Sequence, residues 1–298
     1  MRAARMDEAH VMRIIPRMKT VAVLRISCLD RPGIVATVTD LIFKQKGNIL
    51  HADEHLDQEK GLFLMRIEFD PNGSALAREK FAHNFTPIAE KFSMSWTIKY
   101  SDQKPRVAIL LSKELHCLAD LLARYQAGEL NCELALIASN HTDAKKLADF
   151  HGIEFHQLET DKKEAEARLR ELFEKNEIDL IVLARYMQIL SDKFVEAYPN
   201  KIINIHHSFL PAFVGAKPYH QAHERGVKII GVTSHYVTAE LDTGPIIEQD
   251  VVRISHRETV SDIIQKGRDL EKVVLSRAVK WHLANKILVY GNKTVVFN

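Results

Sequence analysis

Cysteine is scarce in this chain. Three residues in 298, Cys28, Cys117 and Cys132, lie far apart, odd in number and with no C-x-x-C pair. That excludes a disulfide framework and points to a reducing, cytoplasmic location. An excess of charge of one sign is also lacking: 41 basic residues against 39 acidic leave a net +2. No footprint for nucleic acid or a membrane surface is therefore expected. No apolar run approaches the roughly 18 residues that a transmembrane helix needs. Internal repeats and low-complexity tracts are missing too. What remains is an ordinary globular composition, 46% apolar and 27% charged. The length allows one large domain or two ordinary ones, each able to bury a core without staples.

Residues 1–19 are basic but lack the apolar core and small-residue cleavage site of a signal peptide, and Asp7 and Glu8 argue against a transit peptide. They read as a disordered extension, with Met6, Met12 and Met18 as alternative starts. From residue 20 the pattern is structured. A strand-like alternation at 20–28 leads through L-D-R-P-G to a helix opening near Gly33. Two strand-like runs, 49–57 and 61–69, precede a helix-like stretch at 74–92 and a closing strand, M-S-W-T-I-K-Y. The order β-α-β-β-α-β is the ferredoxin-like arrangement.

Residues 101–105 read as a polar linker ending in proline. Beyond them R-V-A-I-L-L-S, E-L-A-L-I-A-S, I-D-L-I-V-L-A and K-I-I-N-I-H are buried-type strands, separated by helical stretches at 114–128, 143–151 and 162–176. That alternation predicts a parallel sheet with helices on both faces. A long helical pattern at 258–285 and a terminal hairpin around Gly291-Asn292 complete the chain. The expected fold is α/β. A ferredoxin-like domain spans 20–100, and a doubly wound, mostly parallel-sheet domain spans 106–298.

Open parallel sheets place ligands at the carboxyl ends of their strands. Asn204 and His206 sit at such an end, two apart in an extended segment, so both project to one side. An amide N–H can hold a developing oxyanion, and an imidazole can move a proton. The same pair could equally satisfy loop backbone. A second segment, G-V-T-S-H-Y-V-T-A-E-L-D-T-G-P-I-I-E-Q, offers Asp242 on a loop whose turn is set by Gly244-Pro245. Asn, His and Asp together suit acyl transfer or amide hydrolysis without a metal. No Ser or Cys nucleophile stands in a recognisable elbow.

N-I-H-H-S-F-L-P followed by E-L-D-T-G-P-I-I resembles the folate-dependent formyltransferase family. L-A-R-Y-M-Q-I-L at 183–190 is similar to that family's folate-binding segment. D-R-P-G-I-V in the N-terminal unit resembles an ACT domain. An ACT domain ahead of this catalytic domain is the arrangement of formyltetrahydrofolate deformylases. The resemblance spans roughly residues 20–298. It implies that Asn204 and His206 polarise the formyl oxygen, and that Asp242 positions and deprotonates water or relays its proton to the leaving nitrogen. It implies a pterin held by Arg185, Met187, Gln188, Leu190, Ala239, Glu240 and Leu241, largely through backbone groups and apolar walls that include Ile189. It implies hydrolysis of 10-formyltetrahydrofolate to formate and tetrahydrofolate, feeding formate to purine synthesis and balancing the one-carbon pool. The folate is then the substrate, with no cofactor and no metal. An amino-acid effector, methionine or glycine, would meet Asp30, Gly33, Ile34 and Asn48, and the assembly would be a homodimer or homotetramer.

Hydrolysis competes with formyl transfer to an amine. The transferase's second substrate carries a phosphate, which its first loop cradles with glycines. Here no glycine occurs between Arg106 and Gly128, so the loop lacks the latitude of a phosphate nest. A non-catalytic folate or amino-acid sensor is the third reading, and Asn204, His206 and Asp242 together argue against it. His220 with His223 and His51 with His55 have ligand-like spacing but no third partner, so metal binding is not expected there. His207 is expected to point away from His206. His235 and Lys217 are expected only to line the site.

Overall fold

The computed structural model describes residues 20–71, 78–212 and 218–297. The extension at 1–19 and Lys217 lie outside the described residues. The chain divides into two compact units between Asp102 and Gln103.

The first unit runs β1 (Ala22–Leu29), α1 (Ile34–Lys44), β2 (Asn48–Asp57), β3 (Leu62–Asp70), α2 (Arg78–Phe92) and β4 (Ser95–Tyr100). Its sheet has the order β2-β3-β1-β4, antiparallel throughout, as a ferredoxin-like unit requires. Period-two burial of Ala22, Leu24, Ile26 and Cys28 gives β1 one core face. Ile34, Val38 and Ile42, four apart on α1, and Phe81, Phe85 and Ala89 on α2 cover that face. Gly33 precedes α1 with φ 91°, a left-handed conformation that glycine adopts at little cost.

The second unit begins with β5 (Arg106–Leu111), α3 (His116–Gln126), β6 (Glu133–Ser139), α4 (Lys145–Phe150), β7 (Glu154–Gln157), α5 (Lys162–Lys175) and β8 (Leu180–Leu183). It continues with α6 (Asp192–Glu196), β9 (Ile202–His206), α7 (Pro218–Arg225), β10 (Ile229–Tyr236), β11 (Ile246–Arg253), α8 (Val260–Leu283) and a terminal hairpin, β12 (Ile287–Tyr290) and β13 (Lys293–Val296). The seven-stranded sheet has the order β11-β10-β9-β8-β5-β6-β7. Along β5, Val107, Ile109 and Leu111 pack with α3 and α8, whereas Ala108 and Leu110 pack with α5 on the other face. That alternation makes the sheet doubly wound. Pairings from β7 to β9 are parallel, and β10 and β11 are antiparallel additions. A capping box between Thr259 and Asp262 starts α8.

The chain moves from β5 outward to β7, then returns to lay β8 and β9 on the other side of β5. The reversal between β5 and β8 opens a crevice at the carboxyl ends of these strands, where such sheets bind ligands. Two short elements, β7 and α6, were not expected. E-F-H-Q carries one apolar residue and D-K-F-V-E spans five residues, too little periodicity to register.

Candidate active site

A cavity of about 630 Å³ lies at those strand ends in the second unit. Asn204 and His206, two apart on β9, both line it, as their spacing requires. Asp242 joins them from the loop between β10 and β11. Its Oδ2 lies 3.3 Å from His206 Nδ1, and its Oδ1 lies 3.7 Å from His235 Nε2. Burial pushes the Asp242 carboxyl up, but the His206 and His235 imidazoles beside it outweigh this and hold the group well below the usual carboxylate range. Asp242 is therefore ionised at neutral pH. It has φ 56°, a left-handed conformation that aspartate tolerates better than most residues. Gly244 fixes this loop: a Cβ there would lie 1.9 Å from the Tyr236 carbonyl oxygen.

His206 Nε2 is buried and has no hydrogen-bond partner among the described residues. With Nδ1 on Asp242, Nε2 is the nitrogen left for a substrate. His235 is more than a lining residue. Its Nδ1 lies 2.9 Å from the Tyr236 carbonyl oxygen, which can only accept, so Nδ1 carries the proton. In the neutral ring Nε2 then accepts from Asn204 Nδ2 at 3.3 Å. One Asn204 N–H is thereby fixed on His235, leaving the second for a ligand oxygen. His207 also departs from expectation. β9 ends at His206, so strand alternation stops there, and the His207 ring lies 5.3 Å from that of His206 and lines the same cavity.

The 185–190 segment is clamped from β5 and α5. Ser112 N donates to the Arg185 carbonyl at 3.1 Å, and Met187 N donates to Ser112 Oγ at 3.1 Å. At the other end Ser191 N donates to Glu166 at 2.6 Å. Arg185, Met187, Gln188, Leu190, Ala239 and Leu241 line the cavity. Met187, Ile189 and Leu241 are exposed there, whereas Leu190 is buried. Glu240 does not line the cavity. Its side chain is exposed, and its carbonyl instead accepts from Thr238 and Thr243 hydroxyls, bracing the loop.

At the opposite wall Glu271, in the middle of α8, is 1% exposed. Its Oε2 lies 2.7 Å from His116 Nε2, and its Oε1 accepts from Tyr219 Oη at 2.7 Å. Burial raises the Glu271 carboxyl, but His116, Arg185 and Tyr219 together hold it low. Tyr219 reaches it across Gly267, where a Cβ would lie 2.2 Å from the phenol. Gly267→Ala is therefore expected to displace Tyr219 and destabilise the fold by about 1–3 kcal/mol. A thermal melt matching wild type would refute this packing. His116, Cys117 and Glu271 bring ligand-type atoms within 4.8 Å, a grouping not anticipated from the sequence. The carboxylate is already bonded to His116 and Tyr219, and burial pushes the Cys117 thiol far up, so the set does not suit a metal.

In the first unit Asp30 and Asn48 are exposed at the turn before α1 and the start of β2. Ile34 is buried in the core, so its side chain is not presented to a ligand at this turn. His51 pairs with Asp53 at 2.7 Å, and His220 and His223 are exposed on α7.

An oxyanion-type amide beside an imidazole–carboxylate pair, in a cavity at the switch point of an open α/β sheet, defines a site of the class that carries out acyl transfer or amide hydrolysis. The Formyl transferase family model matches residues 105–279. A formyltetrahydrofolate deformylase of Synechocystis sp. is 55% identical over 279 residues, 93% of this chain and 98% of that protein. The crystal structure of a formyltetrahydrofolate deformylase from Pseudomonas syringae pv. tomato is similar at TM-score 0.92 and 48% identity, covering 95% of this chain and 96% of that one. A glycinamide ribonucleotide transformylase from Symbiobacterium toebii is similar at TM-score 0.62 and 28% identity, over 65% of this chain and 95% of its own. The chain belongs to the formyltetrahydrofolate deformylase family.

Proposed function

We propose that the protein hydrolyses 10-formyltetrahydrofolate to formate and tetrahydrofolate. The observation that carries this is the ionised Asp242 paired with His206 beside an Asn204 amide whose orientation is fixed. The free Asn204 N–H and His206 Nε2 meet the formyl oxygen, where negative charge develops. Asp242 and His206 act as one unit that accepts a proton from water and delivers it to the departing nitrogen. His235 is a positioning residue acting through Asn204. The pterin lies against the 185–190 segment, with Met187, Leu190 and Leu241 as apolar walls.

Water is favoured over an amine acceptor by the first loop. Glu114, just before α3, pairs with Arg268 at 2.7 Å, and His116 pairs with Glu271. A loop carrying a carboxylate and bonded to α8 does not suit a phosphorylated acceptor. No cofactor is called for. In the first unit, the exposed turn at Asp30 and Gly33 with Asn48 suits a small amino-acid effector such as methionine or glycine. Edge strand β2, with Ile49 and Leu50 exposed, suits pairing into a dimer or tetramer. Three buried free thiols fit a reducing cytoplasm. The released formate would serve purine synthesis and the one-carbon balance.

Incubation of the purified chain with 10-formyltetrahydrofolate and no amine is expected to release formate. Release that begins only on adding an amine acceptor would make it a transferase. Calorimetry with methionine and glycine tests the effector, and absence of heat with both removes it.

A further inference from the structure

The cavity contains a cation with unmet hydrogen-bonding capacity. Arg185 lies two residues beyond the end of β8, and its Nε and Nη1 are buried with no hydrogen-bond partner among the described residues. Glu271 Oε2 stands 3.6 Å from Nε, an ion-pair distance, but that carboxylate is already bonded to His116 and Tyr219. The guanidinium is thus compensated in charge and unsatisfied in hydrogen bonds. Its backbone has φ 67°, costly for a long side chain, and Ser112 N holds that conformation through the Arg185 carbonyl. Its neighbour in the wall, His207, is pushed down to about 4 by burial and by Arg185, so it adds no second positive charge near neutral pH.

A planar fork with free donors matches a carboxylate. Hydrolysis, the reading this inference rests on, generates one in the same cavity. The formyl C–N bond breaks, water's oxygen stays on the formyl carbon, the nitrogen takes one proton, and formate leaves with a second proton passed to solvent. Formate is thereby produced beside Asp242, an ionised carboxylate that repels it. We propose that Arg185, with His207 at its side, forms a product subsite for formate, a small planar monocarboxylate drawn away from Asp242 before release. The folate glutamate tail carries the same chemistry, so the test must separate the two.

Three heavy atoms limit formate to affinities around the millimolar range. Titration of 13C-formate into the resting protein, followed by NMR line broadening, is expected to saturate in that range. Arg185→Gln should weaken it about tenfold or more, and Arg185→Lys, which keeps charge but loses the fork, should lie between. Thermal melts establish that each variant is folded, and the lysine variant serves if the glutamine one is not. Formate should also inhibit turnover of wild type more strongly than of Arg185→Gln. Absence of saturable binding by wild type up to about 100 mM, or variant binding within about twofold of wild type, overturns the subsite. Loss of p-aminobenzoylglutamate binding with formate binding intact reassigns Arg185 to the substrate's tail and also overturns it. Binding is read without turnover, so a protein that binds formate but releases none from 10-formyltetrahydrofolate exposes failure of the hydrolase reading instead.

Discussion

Asp242→Asn is expected to lower the turnover number for formate release by about 10²–10⁴-fold, the range for losing a positioned proton-transfer group. Asparagine keeps the size of the side chain and tolerates the left-handed backbone at φ 56°, so the loop should persist. What disappears is the charge facing His206 Nδ1 and His235 Nε2. KM should change far less than the turnover number, because the pterin contacts lie on other residues. The same substitution has a signature in stability. The folded carboxyl is held below its unfolded value near 4, so its contribution is fully present above that value and is lost as pH falls through the folded value. Wild type should therefore exceed the variant in stability at pH 7, and the gap should narrow below about pH 4. Turnover within about threefold of wild type would remove Asp242 from the proton path.

How legible this site is in the sequence depends on which geometry each residue obeys. Asn204 and His206 are readable because both stand on one strand, where a period of two fixes their common side. Asp242 is readable because its loop follows the next strand run in the chain. His235 is not, because its contact with Asn204 arises from the antiparallel register of β10 against β9, which pairs these two residues directly. His207 misleads for a different reason: strand alternation would turn it away from His206, but β9 ends at His206 and the alternation ends with it. Glu271 is hidden among the charged residues of a long helix, and only the approach of α3 and α7 gives it partners. Glu240 shows the converse. It sits in a correctly located segment, but the loop turns its carbonyl inward to Thr238 and Thr243 and its side chain outward. The fold was more accessible than the site. Alternation and helical spacing are local, and they specify both units apart from β7 and α6. Side-chain convergence depends on sheet order and register, which local spacing does not encode.

Asn204→Ala is the second large effect expected. Deleting a donor aimed at a developing oxyanion costs about 10²–10³-fold in turnover number. The amide is offset from the proton path, so the pH profile should keep its shape while its height falls. That distinguishes it from Asp242→Asn, which alters the titrating pair itself. A double-mutant cycle then tests the route through His235. In wild type His235 Nε2 holds one Asn204 N–H, and its own Nδ1–H is tied to the Tyr236 carbonyl. His235→Gln should lower turnover by misorienting the Asn204 amide, whereas in the Asn204→Ala background no amide remains to be oriented. The second substitution should then cost little, giving the non-additivity expected of residues that act as a unit. Full additivity would mean that His235 acts on Asp242 at 3.7 Å rather than on Asn204, and the assignment of His235 as the amide's positioning residue would be withdrawn.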